Sequence, residues 1–120
     1  MLHFTFWRIY IIIDIQYLKG IEVMAKKIND ERIDRLFSAI LCLETLEECY
    51  DFFGDLCTVP ELAEMSRRLE AATLLRNGVI YTEIAERTGL STATISRVNR
   101  CLKYGNDGYG IVLDRLDKKK

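Results

Sequence analysis

From Asp30 onward the apolar positions of the chain recur at steps of three and four, the period of an α-helix buried along one face. Asp30 can cap a first helix in which Ile33, Leu36, Phe37, Ile40 and Leu41 share a side. Thr45, followed three residues later by Glu48, is a capping-box pattern that opens a second helix striped by Cys49, Phe52, Phe53 and Leu56. Thr58-Val59-Pro60-Glu61 repeats the device, with proline in the first turn, where a missing N–H costs nothing. The third helix then runs through Leu62, Met65, Leu69, Ala72 and Leu75 to a stop at Asn77-Gly78.

Two shorter helical patterns meet at Gly89, which can take the left-handed conformation of a tight turn. The first offers Ile84 and Ala85 to the interior, and Leu90 tucks in at the turn. Ser91 caps the second, in which Ile95, Val98 and Leu102 fall within a narrow arc at about 100° per residue. Lys103 to Gly108 reads as a loop, Tyr109 to Leu116 as a last short helix, and Lys118 to Lys120 as a frayed basic tail. No alternating strand pattern follows Met24, so the predicted class is all-α. The apolar faces read first as core, but short helices with this much apolar surface would struggle to cover it alone. The N-terminal helices are therefore expected to wrap a second copy in a symmetric dimer.

Residues 1–23 do not share this pattern. Their longest apolar run, Ile9 to Ile13, falls well short of a membrane span, and no secretory signal is legible. Met24-Ala25-Lys26-Lys27-Ile28 resembles an ordinary bacterial N-terminus. Residues 1–23 are thus expected to be a mis-started leader, with a genuine extra strand or partner-binding segment as the competing reading, and 24–120 the folded domain.

The net charge of −1 hides a polarity along the chain. Ile28 to Ser66 holds ten acidic against two basic residues, a local charge of −8. Arg67 to Lys103 holds seven basic against three acidic, a local charge of +4, and attraction for a polyanion follows the local sign. Cys42, Cys49, Cys57 and Cys101 form no C-x-x-C pair and read as reduced, mostly buried thiols of a cytoplasmic protein without a metal. His3 is the only imidazole, and no phosphate-binding glycine loop or paired-acid motif stands out, so no enzyme and no cofactor are expected.

The basic end coincides with the paired helices. Opposite the inward trio lie Ala93, Ser96, Arg97, Arg100 and Tyr104, with Thr92 and Thr94 flanking. Small or hydroxyl side chains permit close approach to base edges, and arginines grip phosphate or guanine. Ser91, Thr92, Ala93, Thr94, Ser96, Arg97 and Arg100 are the candidate groove residues, with Lys103 and Arg87 placed for the backbone. A solvated arginine face also occurs on helix pairs that bind no DNA, so docking on another protein is the competing reading. The coincidence of turn glycine, cap, small residues and inward trio favours double-stranded DNA.

The residues L-C-T-V-P-E-L, R-R-L-E-A-A-T-L-L-R-N-G, T-E-I-A-E-R-T-G-L-S-T-A-T-I-S-R-V-N-R-C-L and Y-G-N-D-G-Y resemble the Trp repressor family, and closely its YerC/YecD-like subfamily. The resemblance covers about Ile28 to Leu116. It implies an interlaced all-helical homodimer with a C-terminal helix-turn-helix, regulating transcription at a roughly palindromic operator. It also places Arg67 and Arg97 where the family's tryptophan-binding member holds its ligand. Val98 stands where that member has glycine, and Cys101 where it has serine. The valine would clash with an indole ring and the hydroxyl is lost, so no tryptophan binding is expected and any effector is unknown.

Overall fold

Six helices succeed one another in the computed structural model, which describes residues 30–120, and no strand occurs among the described residues. The expected leader, the start at Met24 and His3 lie outside the described residues. The helices are α1 (Glu31–Leu41), α2 (Leu46–Leu56), α3 (Val59–Arg76), α4 (Tyr81–Thr88), α5 (Thr92–Tyr104) and α6 (Gly108–Lys118). Contacts divide the chain between Tyr50 and Asp51, within α2.

In the first unit, α1 starts where the sequence places it. The Asp30 carboxylate accepts the Arg32 backbone N–H at 2.9 Å and pairs with the Arg32 guanidinium at 2.9 Å. These contacts, the guanidinium first, hold the Asp30 carboxyl below the usual aspartate range. The Thr45–Glu48 box opens α2: Thr45 Oγ1 accepts the Glu48 N–H at 3.1 Å, and Glu48 Oε2 accepts the Thr45 N–H at 3.3 Å. The apolar face of α1 is not core within one chain. No α1 residue is buried, and Phe37 is 51% and Leu41 84% exposed.

The second unit is built on α3. Thr58 Oγ1 accepts the Glu61 N–H at 3.3 Å while Glu61 Oε2 accepts the Thr58 N–H at 2.7 Å, closing the capping box. The bond from the Thr58 backbone keeps the Glu61 carboxyl below its ordinary range. At the other end Gly78 enters the left-handed region (φ 79°), the Gly78 N–H reaches Leu75 O at 3.0 Å, and the Val79 N–H reaches Leu74 O at 3.0 Å. This paired closure satisfies two carbonyls that a helix end otherwise leaves free.

The C-terminal half of α3 packs against α4, α5 and α6. The core joins Ala71, Ala72 and Leu74 to Ile84, Leu90, Ile95, Val98 and Leu113. Ala71 and Ala72, both without accessible surface, have no side chain beyond Cβ to hold neighbouring helices away. Arg76, near the end of α3, pairs with Asp114 and lies 4.0 Å from Asp117, both on α6.

Four expectations are corrected. Met65 and Leu69, placed in the α3 stripe, are exposed, because α4–α6 cover the later half of that helix. Leu102, placed with the inward trio, is half-buried. The predicted loop shrinks to Gly105–Asp107, because α5 carries on through Lys103 and Tyr104. It ends only where the Gly105 N–H meets Cys101 O at 2.9 Å, with that carbonyl so close that a Cβ on residue 105 would collide with it. The cysteines are free, but Cys42 and Cys101 are exposed and Cys49 and Cys57 half-buried, so none is a core thiol.

Candidate nucleic-acid interface

Two features direct the chain from α4 into α5. Gly89 closes α4 in the left-handed conformation (φ 73°, ψ 6°) with its N–H on Ala85 O at 2.9 Å. Ser91 then takes extended backbone angles, and its Oγ accepts the Thr94 N–H at 3.2 Å, which starts α5. Ile84 and Ile95 anchor the two helices with no accessible surface, and Val98 retains 2%.

The burial of Ile95 and Val98 decides what α5 presents. Ser91, Thr92, Ala93, Arg97, Arg100 and Lys103 are exposed, and Thr94 and Ser96 are half-buried. The first turn of α5 carries no acidic side chain, so the positive end of its dipole is left open to an anion. Among the described residues no carboxylate lies within 4.0 Å of Arg97, Arg100 or Lys103. Arg87, exposed on α4, pairs with Glu83 at 3.7 Å and is the only candidate cation engaged by a carboxylate there. The expected groove residues therefore lie on α5 and its Ser91 cap, and the exposed side of the helix is cationic.

The four expected effector-pocket residues do not all meet. A cleft of about 180 Å³ between α3, α5 and α6 is lined by Arg97, Val98 and Cys101, together with Glu64, Arg68, Thr94 and Tyr109. Arg67 is absent from that lining. It is exposed and lies 3.6 Å from Glu64, one turn earlier on α3. Arg68 is the half-buried arginine, because it sits three and four residues before the fully buried Ala71 and Ala72. That spacing could have singled out Arg68 from the sequence. Tyr109, anticipated only as part of a last helix, packs on the core and reaches the cleft. Thr88 was also missed. Its hydroxyl is buried in the turn, bonded to Ile84 O at 2.7 Å and to the Leu90 N–H at 3.2 Å.

Among the described residues no helix is long and apolar enough to cross a membrane. Residues 31–117 match the family model described as Trp repressor protein. The Bacillus subtilis protein YerC, itself uncharacterized, is 54% identical over 90 residues, spanning 75% of this chain and 86% of its own length. A solved structure of a TrpR-like protein from Eubacterium eligens superposes with a TM-score of 0.74 at 53% identity, covering 77% of this chain and 95% of that one. A second solved structure, from Staphylococcus aureus, gives 0.73 at 50% identity, covering 77% and 92%.

Proposed function

This chain belongs to the Trp repressor family, and from that premise we propose that it is a sequence-specific DNA-binding regulator of transcription. The observation that carries the reading is the two-sidedness of α5. Ile95 and Val98 are buried to the backbone, while Arg97 and Arg100 reach solvent on the other side without a carboxylate partner among the described residues. In this reading α4 and α5 form a helix-turn-helix. The α5 helix enters the major groove, with Ala93 and the hydroxyls of Thr92, Thr94 and Ser96 against base edges and Arg97 and Arg100 on guanine or phosphate. Lys103, and Arg87 once released from Glu83, take the backbone.

The protein acts as an interlaced homodimer in the cytoplasm. Support comes from the uncovered apolar side chains of α1 and α2: Phe37, Leu41, Leu46 and Tyr50 are all exposed in the single chain. Soluble proteins rarely leave contiguous apolar surface of this kind open to water. Two copies related by a twofold axis would place their α5 helices in successive major grooves, about 34 Å apart, on a roughly palindromic site. In this reading tryptophan is not the corepressor: Val98 lines the cleft beside Arg97, where its side chain would crowd an indole ring.

Selection from a random duplex pool at moderate salt, followed by footprinting and light scattering, tests the reading. The expected result is an enriched inverted repeat protected by a protein of twice the chain mass. Failure to enrich any sequence over competitor DNA would defeat it and leave the helix pair as a docking surface for another protein.

A further inference from the structure

Thr88 is the one polar side chain buried among the described residues, and the contacts above do not need it for DNA. Its hydroxyl sits between the last turn of α4 and the first residue after the glycine. It donates to Ile84 O at 2.7 Å and accepts the Leu90 N–H at 3.2 Å. Leu90 is itself buried, at 6% exposure, so its N–H has no water to turn to if that oxygen is removed. Gly89 between them has φ 73° and nothing within 4 Å of where a Cβ would lie. No neighbouring atom therefore packs on that side of the glycine, and the turn is held by the buried Leu90 and by hydrogen bonds. Among these the Thr88 hydroxyl spans the glycine, joining the chain before it to the chain after it.

We propose that Thr88 is a positioning residue for DNA recognition, its hydroxyl setting the angle at which α5 leaves the turn. The inference rests on the DNA-binding reading of that helix. The leverage is large. From Thr92 to Arg100 the helix rises about 12 Å, so a 10° tilt at the turn moves Arg100 by roughly 2 Å. That exceeds the few tenths of an ångström within which a hydrogen bond keeps its strength. A bracket of two hydrogen bonds at the pivot adds to the restraint that the buried Ile95 and Val98 place on such a tilt.

Two variants separate positioning from bulk stability. Thr88→Val keeps shape and apolar volume but removes both bonds, and Thr88→Ser keeps both bonds but deletes a buried methyl. On the enriched duplex, at a temperature where every protein is folded, Thr88→Val should bind about tenfold more weakly, the scale set by one stranded buried N–H. Thr88→Ser should bind within about twofold of the parent even though its thermal midpoint falls. Amide exchange at Leu90 should accelerate in Thr88→Val and stay protected in Thr88→Ser. Affinities that follow the thermal midpoints and not the hydroxyl would overturn the proposal, as would unchanged Leu90 exchange in Thr88→Val. If the parent protein enriches no duplex, the DNA reading has failed. The exchange comparison still decides whether the hydroxyl holds the turn.

Discussion

Removing the Arg100 side chain tests the interface most directly, because its effect has a size and a salt dependence that can be worked out beforehand. Arg100 is exposed on α5 and has no carboxylate within 4.0 Å among the described residues, so Arg100→Ala should leave folding almost unchanged. A cation on a phosphate releases counterions and adds about 0.9 to the slope of log affinity against log salt. In the proposed dimer, two copies of α5 on one operator would lose two contacts, so the slope should flatten by about 1.8. Over the fourfold range from about 50 to 200 mM salt, the ratio of parent to variant affinity should therefore shrink by about 12-fold. Arg32→Ala is the control: that guanidinium already pairs with Asp30, and its loss should not alter the slope. Fluorescence anisotropy on the enriched duplex at four or more salt concentrations measures both. A parallel line for Arg100→Ala, weaker but equally steep, would refute the phosphate contact and point to a base. A line coincident with the parent would refute any contact.

Three further outcomes follow from the same geometry. Gly89→Ala should lower unfolding free energy by about 1–2 kcal/mol in urea at fixed protein concentration, the cost of a left-handed backbone for an L side chain; Gly89→Asn should cost less. Since a Cβ there meets nothing within 4 Å, a loss several times larger would show that packing had been misread. Thr58→Ala should destabilise by about 1 kcal/mol through loss of the α3 cap. Because the folded-state Glu61 carboxyl is held below its ordinary value of 4.5, its contribution is present above that pH and fades as pH falls through the lowered value. Glu61→Gln should accordingly lower stability at neutral pH and converge on the parent in acid; a gap that stays constant with pH would contradict the bond to the Thr58 backbone. Calorimetric titration with L-tryptophan should give no saturable heat, and a micromolar affinity would show that Val98 does not block the cleft as argued.

The local rules of the chain were legible without coordinates. Asp30, Thr45, Thr58 and Ser91 cap the helices they were expected to cap, and Asn77-Gly78 and Gly89 end theirs. Such features depend on residues within one turn of each other, and so does the phase of α5, which buries Ile95 and Val98 and turns Arg97 and Arg100 outward. Hydroxyl caps, left-handed glycines and helical periodicity act through bonds and sterics that a short stretch of chain already contains.

Contacts distant in sequence are where the reading gave out. Periodicity alone could not tell which half of α3 is covered, and Met65 and Leu69 are exposed because α4–α6 pack on the later half. Composition marked Lys103 and Tyr104 as loop, yet the helix continues until Gly105 meets the Cys101 carbonyl. Of two adjacent arginines, packing placed Arg68 in the cleft and left Arg67 outside it. The buried bracket at Thr88 exists only because Leu90 is pressed into a core that four helices complete. The sequence by itself thus determined the helix caps, the glycine turns and the buried side of α5, all features held within about one turn of chain. The tertiary structure decided which faces find partners, because burial depends on residues the chain brings together from far apart.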